Sequence, residues 1–223
     1  MSEKDGLWYT DPSSEAALKR PRGLPETDAK RVVLFGGTFD PPHVGHLAMA
    51  TLTLEQTDTD EVWFMPAPSP PHKSEIGDDT FLWRISMVDA LIGDRSGLRT
   101  VPIEKLLPRP SFSVDTVRAC KQWYPDIAFH FLIGADSLAQ LPTWRGAATL
   151  TKLVQFYVAG RSGHPFQETL DRVREQLPDL QAESIEMPLL DVSSTWLRDR
   201  LDNHLDVCGL IPSLVLEVWH TGP

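Results

Sequence analysis

Short apolar runs that end at glycine alternate along this chain with segments whose apolar residues recur at the helical period. The run 32–35 is followed by two glycines, and the run 128–133, the most hydrophobic of them, is also followed by glycine. Short runs without polar interruption are typical of strands buried on both faces of a sheet. Strands that alternate with helices predict an α/β fold with a parallel sheet and right-handed crossovers.

The predicted elements begin at Arg31. Residues 1–29 combine proline, glycine and mixed charges without a sustained period, which predicts a flexible N-terminal extension followed by one domain over 30–223. Ser113 is expected to cap one helix at its N-terminus. The predicted strands are 32–35, 61–65, 98–103, 128–133, 154–159 and 184–187. The predicted helices are 43–56, 79–92, 114–123, 135–140, 144–151, 165–176, 193–203 and 213–219.

Charge and cysteine content narrow the classes of partner. The formal net charge is −10, which disfavours binding to nucleic acid because phosphate backbones attract basic surfaces. A small anion can still bind at a local cluster of donors. No apolar run has the length that a bilayer requires, so no membrane partner is expected. Cys120 and Cys208 stand far apart and in no motif, which predicts a reducing, cytoplasmic location.

The stretch 36–46, GGTFDPPHVGH, carries the most chemical information. It begins where a buried strand ends, the edge at which open α/β sheets bind ligands. The glycines permit close approach of a bulky anion, and the following helix is expected to point unpaired N–H groups and its dipole at phosphate. His43 and His46 are three residues apart and project from one side of the first turn. As donors held nearer their charged form by phosphate, they would stabilise charge when a phosphoanhydride bond breaks.

Simpler interpretations of each part stay open. A pair of glycines after a strand is often only a tight turn, and two histidines at this spacing are often surface residues. A third interpretation is a zinc site that includes Asp40 or His72. The complete string of motif residues is much more specific than any of its parts.

The string resembles the signature of the HxGH nucleotidyltransferase superfamily, and its extended form is similar to bacterial nicotinate-mononucleotide adenylyltransferases. The resemblance covers about 31–203 and follows the motifs in order. It passes through PPHK at 70–73, Arg84, PSFSVDT at 110–116, LIGAD at 132–136, LPTW at 141–144 and VSSTWLR at 192–198. It implies a Rossmann-like, doubly wound parallel sheet. It also implies ATP and nicotinate mononucleotide as substrates, with Mg²⁺ held mainly by the ATP phosphates.

Roles for individual residues follow from the motifs and the resemblance together. Catalysis is expected of His43, His46 and Arg198. ATP is expected to bind to Gly36, Gly37, Thr38, Phe39, His43, Gly45, His46, Gly134, Asp136, Ser193, Ser194, Thr195 and Arg198. The mononucleotide is expected to bind to Gly37, Thr38, Phe39, Lys73, Arg84, Ser113, Trp144 and Arg145. No metal ligand is expected among the side chains.

Some of these roles have physical reasons of their own. On their own, the residues 193–195 and Arg198 fit a capped helix with a solvated arginine better, but beside the first motif a second phosphate cradle is favoured. Asp136 follows a strand and can accept ribose hydroxyls or cap a helix. Trp144 can stack on a pyridine ring or simply pack, and Arg145 can favour a ring that bears a carboxylate or be a surface charge.

Three alternatives to this function follow from the same residues. A related enzyme would use nicotinamide mononucleotide, phosphopantetheine or a cytidylyl acceptor instead. Ser113 stands where the family pattern has threonine, which leaves selectivity between acid and amide open. A nucleotide-binding sensor without turnover and a zinc hydrolase are the other two. The sequence also leaves the oligomeric state open, a homo-oligomer included.

Overall fold

A computed structural model describes residues 20–68, 78–108, 110–161 and 166–223. Within them, the six strands are β1 Arg31–Gly37, β2 Glu61–Pro66, β3 Leu98–Thr100, β4 Ala128–Gly134, β5 Gln155–Arg161 and β6 Ala182–Met187. The helices there are α1 Val44–Gln56, α2 Asp78–Ile92, α3 Ser113–Trp123, α4 Ala135–Gln140, α5 Ala147–Leu153, α6 Phe166–Arg174, α7 Ser194–Asp202 and α8 Ser213–Thr221. Two short 3₁₀ helices cover Ile103–Leu106 and Leu141–Thr143.

The six strands form one sheet in the order β3-β2-β1-β4-β5-β6, and every neighbouring pair is parallel. The predicted doubly wound parallel sheet is therefore confirmed. The order reverses between β1 and β4, so the chain leaves their carboxyl ends toward opposite faces of the sheet. Ligands of open α/β sheets bind in the crevice at such a point.

The sheet is buried on both faces, which explains the unbroken apolar runs of its strands. Along β1, Val32 and Leu34 face one core cluster while Val33 and Phe35 face the other. The first cluster takes apolar residues from α3, α4, α5 and α6. The second takes them from α1, α2, α7 and α8. The two cores fix both sets of helices against the same central strands.

Several element boundaries differ from their prediction. β3 ends at Thr100 rather than 103, because the chain then turns into a 3₁₀ helix. α5 begins at Ala147 rather than 144, because Trp144 has an extended backbone with φ −70° and ψ 140°. The expected cap at Ser113 is wrong. Phe112 is the N-cap, in extended backbone, and Ser113 is the first helical residue.

Residues 20–29, expected to lie outside the fold, pack against it. Leu24 is only 7% exposed and belongs to the core cluster on the α3 side. The Tyr124 hydroxyl donates to the carbonyl of Pro25 at 2.9 Å, and Thr27 donates to the Glu61 carboxylate at 2.8 Å. The predicted boundary at residue 29 therefore falls too late. The rest of the predicted extension, 1–19, lies outside the described residues.

Crossing a bilayer would require a longer and more apolar helix than any found in the described part of the chain.

A chain that starts at residue 30 is expected to be less stable than one that starts at residue 20. It loses the burial of Leu24 and the two hydrogen bonds of Pro25 and Thr27, which together contribute about 2 kcal/mol or more. Urea unfolding of the two truncated chains measures the difference. Equal free energies of unfolding would show that residues 20–29 add nothing to the folded domain.

Candidate active site at the ends of β1 and β4

The ring of Phe39, a residue expected to bind the substrates, shapes the turn after β1. Phe39 has φ 51° and is 2% exposed, and its ring centroid lies 5.5 Å from those of Phe35 and Phe64. A Cβ on Gly37 would lie 2.9 Å from the Phe39 ring, so only glycine allows this ring to fold back over the strand end. The Phe39 side chain is thus part of the core, and only its backbone can line a ligand site.

His43 and His46 cap α1 reciprocally. The backbone N–H of Gly45 donates to Nδ1 of His43, and the backbone N–H of His43 donates to Nδ1 of His46, both at 3.2 Å. The ring centroids are 3.9 Å apart. A Cβ on Gly45 would lie 3.0 Å from the His43 ring, which explains the glycine between the histidines. Since Nδ1 accepts in both rings, the proton of each neutral imidazole resides on Nε2.

Burial controls the charge of both rings. It lowers the pKa of His43 from 6.5 to about 4. Burial and, to a smaller extent, the neighbouring His43 hold the pKa of His46 well below its usual value. Both imidazoles are therefore neutral at pH 7 without a ligand, and the expectation that phosphate holds them nearer the charged form concerns the ligand-bound state. They are donors all the same, through Nε2–H.

The expected row of unpaired N–H groups at the start of α1 is not found. Val44 N–H donates to the carbonyl of Leu210 at 3.1 Å, Gly45 N–H is taken by the His43 ring, and His46 N–H donates to the carbonyl of His43 at 3.0 Å. The loop before α8 supplies the first of these acceptors, which sequence reasoning had no means of locating. The donors left for an anion at this helix end are the imidazole Nε2–H groups.

The N-terminus of α7 is attached directly to the turn before α1. The Ser194 hydroxyl donates to the carbonyl of Pro41 at 2.8 Å, across 153 residues of sequence. The Arg198 guanidinium donates to the backbone carbonyl of Asp40 and lies 3.6 Å from its carboxylate. These contacts bring the 193–198 motif against the histidine motif, as the phosphate-cradle interpretation requires.

The first turn of α7 contains hydroxyls and backbone N–H groups close to a guanidinium. The Ser193 side chain caps the helix by accepting from the backbone N–H of Trp196 at 3.2 Å. The N–H groups of Ser194 and Thr195 have no acceptor within the helix because they belong to its first turn. The Arg198 guanidinium, 32% exposed, also donates to the Thr195 hydroxyl at 3.4 Å. Hydroxyls, backbone donors and a cation therefore lie close together at this helix end, an arrangement that favours an anion.

Three of the predicted mononucleotide residues lie together on the other side of the sheet. The Arg145 guanidinium stacks 4.3 Å above the ring of Phe112, which immediately precedes Ser113. Trp144 contacts the ring of Phe131 edge-on, with centroids 6.2 Å apart. The Phe131 ring in turn lies 3.6 Å from the position of a Cβ on Gly36. Trp144 is thereby linked to the end of β1.

Two other predicted residues follow β4. The last backbone pair of β1 with β4 joins Leu34 to Phe131, so Gly37 and Gly134 stand three residues farther along their strands. Gly134 is the N-cap of α4, and Asp136 is exposed in the first turn of that helix. Asp136 can therefore reach a ligand at the same crevice. Lys73 and His72 lie outside the described residues.

Arg84 does not face the site as a free ligand for the mononucleotide. It is 1% exposed, and its guanidinium donates to the backbone carbonyls of Thr38 at 2.7 Å and Ala67 at 2.6 Å. The role assigned to it from the motif order is therefore corrected. Its two Nη groups hold backbone carbonyls, while its buried Nε has no hydrogen-bond partner among the described residues.

Sequence reasoning missed Phe112 and Glu104. An aromatic residue directly before a helix start, next to Ser113, was the available signal for Phe112. Glu104 is 8% exposed and accepts from the hydroxyls of Ser111 and Thr116, both at 3.3 Å. Burial raises its pKa to about 7, against the smaller opposing effect of these bonds. It supports the segment that leads into α3.

A metal held entirely by side chains finds no support here. Among residues 20–68, 78–108, 110–161 and 166–223, no three His, Cys, Asp or Glu side chains are grouped so as to hold an ion. Asp40, which was considered as a zinc ligand, forms an ion pair with Arg198.

Both the sequence and the fold of this chain are similar to those of known proteins. The cytidylyltransferase-like family matches residues 34–200. The nicotinate-nucleotide adenylyltransferase of Bacillus subtilis is 37% identical over 186 residues, which cover 83% of this chain and 93% of that protein. Two structures of Plasmodium falciparum nicotinic acid mononucleotide adenylyltransferase superpose with TM-scores of 0.71 (complexed with NaAD) and 0.69 (complexed with APC). At 20% and 18% identity, over 86% of this chain and 95% of each of theirs, they show a shared fold.

Both histidines of the motif are expected to stay neutral well below pH 6. Burial lowers their pKa values, so a proton binds more readily in the unfolded chain, and stability should fall as the pH drops from about 6.5 toward 4. Imidazole ¹⁵N NMR should show unprotonated Nδ1 and protonated Nε2 in both rings at pH 7. Titration of either ring near pH 6.5 would contradict the buried, capped arrangement.

Proposed function

The chain belongs to the cytidylyltransferase-like family and, within it, to the nicotinate-nucleotide adenylyltransferases, and we propose that it transfers the adenylyl group of ATP to nicotinate mononucleotide. The products are nicotinate adenine dinucleotide and pyrophosphate, in a step of NAD biosynthesis. The observation that carries the proposal is the meeting of two imidazole donors with the α7 cradle, through the Ser194–Pro41 and Arg198–Asp40 contacts.

The reaction is a displacement at phosphorus. A phosphate oxygen of nicotinate mononucleotide attacks the α-phosphorus of ATP and forms the new P–O bond, while the bond from the α-phosphorus to the bridging oxygen breaks. The electron pair leaves with pyrophosphate. Because the attacking phosphate is already an anion near neutral pH, no strong base is needed. Positioning and charge stabilisation can therefore account for catalysis.

The histidines act on the leaving side of this displacement. Their Nε2–H groups can donate to oxygens of the triphosphate, where negative charge grows as the anhydride bond breaks. Neutral imidazoles suit this task because they stay donors without the cost of burying two adjacent positive charges. The fixed Nδ1 bonds hold the donor tautomer in place before ATP arrives.

The first turn of α7 is assigned to the β- and γ-phosphates. Ser193 and Thr195 offer hydroxyls, Ser194 and Thr195 offer backbone N–H groups, and Arg198 offers a cation that can bond to phosphate oxygens. Asp136 at the end of β4 is assigned to the ribose of ATP. The backbone of Gly36, Gly37, Thr38 and Phe39 lines the floor between the two substrates.

Mg²⁺ fits this site as a partner of the phosphates. The side chains of the described residues form no cage for an ion, while ATP itself brings several hard oxygen ligands. When bound, the ion neutralises part of the triphosphate charge. The protein then contributes donors around the ATP oxygens.

The mononucleotide is assigned to the cluster on the α3 side. Trp144 and Phe112 offer aromatic surfaces, and Ser113 lies in the first turn of α3, whose N-terminus favours an anion. Arg145, held over Phe112, adds a positive charge next to these surfaces. A ring that carries a carboxylate fits this set of groups better than its amide. Lys73 is proposed to reach a phosphate of the bound substrates.

We also propose that the enzyme works in the cytoplasm. Cys120 is buried and Cys208 exposed, and both are free thiols, as in a reducing compartment.

His46→Ala is expected to lower kcat by about 10²- to 10³-fold, because it removes one donor aimed at the developing charge. Pyrophosphate release on mixing with ATP, Mg²⁺ and nicotinate mononucleotide measures the rate. His220→Ala, an exposed histidine on α8, is the control and should keep the wild-type rate. Near-normal turnover of a folded His46→Ala variant would remove the assigned role. No pyrophosphate from the unaltered chain would favour a sensor instead.

Arg145→Ala is expected to reduce the preference for nicotinate over nicotinamide mononucleotide by roughly two- to fivefold, the size of an exposed charge interaction. A competition assay with both acceptors measures the ratio of their kcat/KM values. Arg118→Ala, an exposed arginine on α3, removes the same charge and should leave the ratio unchanged. An unchanged ratio in Arg145→Ala would assign selectivity to other groups of the cluster.

A further inference from the structure

We infer that Arg84 is a positioning residue that holds the turn carrying the two histidines against the exit of β2. This inference rests on the proposed adenylyl transfer at the same site. It differs from the role in mononucleotide binding that the motif order suggested, because both Nη groups of the guanidinium donate to backbone carbonyls.

The contacts of Arg84 join two loops that leave neighbouring strands. One Nη donates to the carbonyl of Thr38, in the turn between β1 and α1, at 2.7 Å. The other donates to the carbonyl of Ala67 at 2.6 Å and approaches that of Pro68 at 3.3 Å, both just after β2. A single planar group therefore ties the turn of the histidine motif to the beginning of the next loop.

The location of Arg84 keeps water away from these bonds. It lies on α2 and is 1% exposed, and its guanidinium lies 5.6 Å from the ring centroid of Phe81, one turn earlier. Burial lowers the pKa of Arg84, and the charge of Asp40 opposes this effect. Carbonyl bonds of a buried cation are stronger than those of an exposed one, and their loss leaves acceptors unpaired.

Asp40 connects this clamp to the residue assigned to the phosphates. Its charge favours the cationic form of Arg84, while its carboxylate lies 3.6 Å from Arg198 and its backbone carbonyl accepts from the same arginine. Two guanidinium groups thus donate hydrogen bonds to the segment 38–40, one from α2 and one from α7. A shift of this segment would move both His43 and the α7 cradle.

The shape of the group matters as much as its charge. A guanidinium presents donors in a rigid plane and can serve carbonyls of two loops at once, whereas a lysine ammonium is a compact charge on a flexible stem. Arg84→Met keeps much of the apolar stem and removes every donor. Arg84→Lys keeps the charge and part of the hydrogen bonding.

The test compares kinetics with imidazole spectra. In Arg84→Met, kcat is expected to fall about 10- to 100-fold while the KM for nicotinate mononucleotide changes less than threefold, because a displaced turn misplaces the donors. The ¹⁵N shifts of His43 and His46 should also change, and this readout does not depend on activity. Arg84→Lys should recover part of kcat and of both shifts. If Arg84→Met does not fold, Arg84→Lys alone should show the same changes at smaller size.

Arg95→Met is the matched control. Arg95 also donates to backbone carbonyls, those of Leu91 and Ile92, but at the far end of α2. The Arg95→Met variant should keep the wild-type kcat and the wild-type ¹⁵N shifts of both histidines even if its melting temperature falls.

A large rise in KM for the mononucleotide at unchanged kcat would overturn the inference and make Arg84 a substrate contact. Wild-type kinetics and wild-type histidine shifts in a folded Arg84→Met variant would overturn it as well. If the unaltered protein transfers no adenylyl group, the proposed function fails, whereas the spectral comparison still tests the clamp.

Discussion

The site depends on one pair of hydrogen bonds, from the backbone N–H groups of Gly45 and His43 to Nδ1 of the two imidazoles. These bonds cap α1, and they also place the proton of each neutral ring on Nε2. Burial keeps both rings neutral, so they remain donors without placing two positive charges side by side. The two side chains that cap the helix are thus the same two that the proposed function assigns to phosphate transfer.

In this acidic protein the tertiary structure brings positive charge to one short segment. The chain carries a net charge of −10, yet Arg84 and Arg198 act on the same short segment, with Asp40 between them. Arg198 is partly exposed and can meet phosphate, while Arg84 is buried and holds backbone. Two residues of one type therefore differ in role because they differ in burial.

Sequence reasoning succeeded where the signal was local. Unbroken apolar runs predicted strands buried on both faces, and alternation with helices predicted a parallel sheet. His43 and His46 were placed on one side of a helix start from their spacing alone. Sequence reasoning failed where the hydrogen-bond or packing partner of a residue lies in a distant segment of the chain. The carbonyl of Leu210 accepts from the N–H of Val44, and the ring of Phe39 is buried in the core. The carbonyls of Thr38 and Ala67 accept from the guanidinium of Arg84. None of these contacts produces a periodic pattern in the sequence, so spacing could not predict them.

The sequence by itself determined the class of fold, the order of the motifs and the location of the histidines at the end of a strand, because period and spacing are properties of neighbouring residues. Only the tertiary structure decided which polar groups are left for a ligand. Ser194 meets Pro41 across 153 residues, and Arg145, in the turn before α5, lies over Phe112. Whether a donor binds backbone or stays available depends on what the folded chain places within hydrogen-bonding distance, and that is set by packing rather than by sequence spacing.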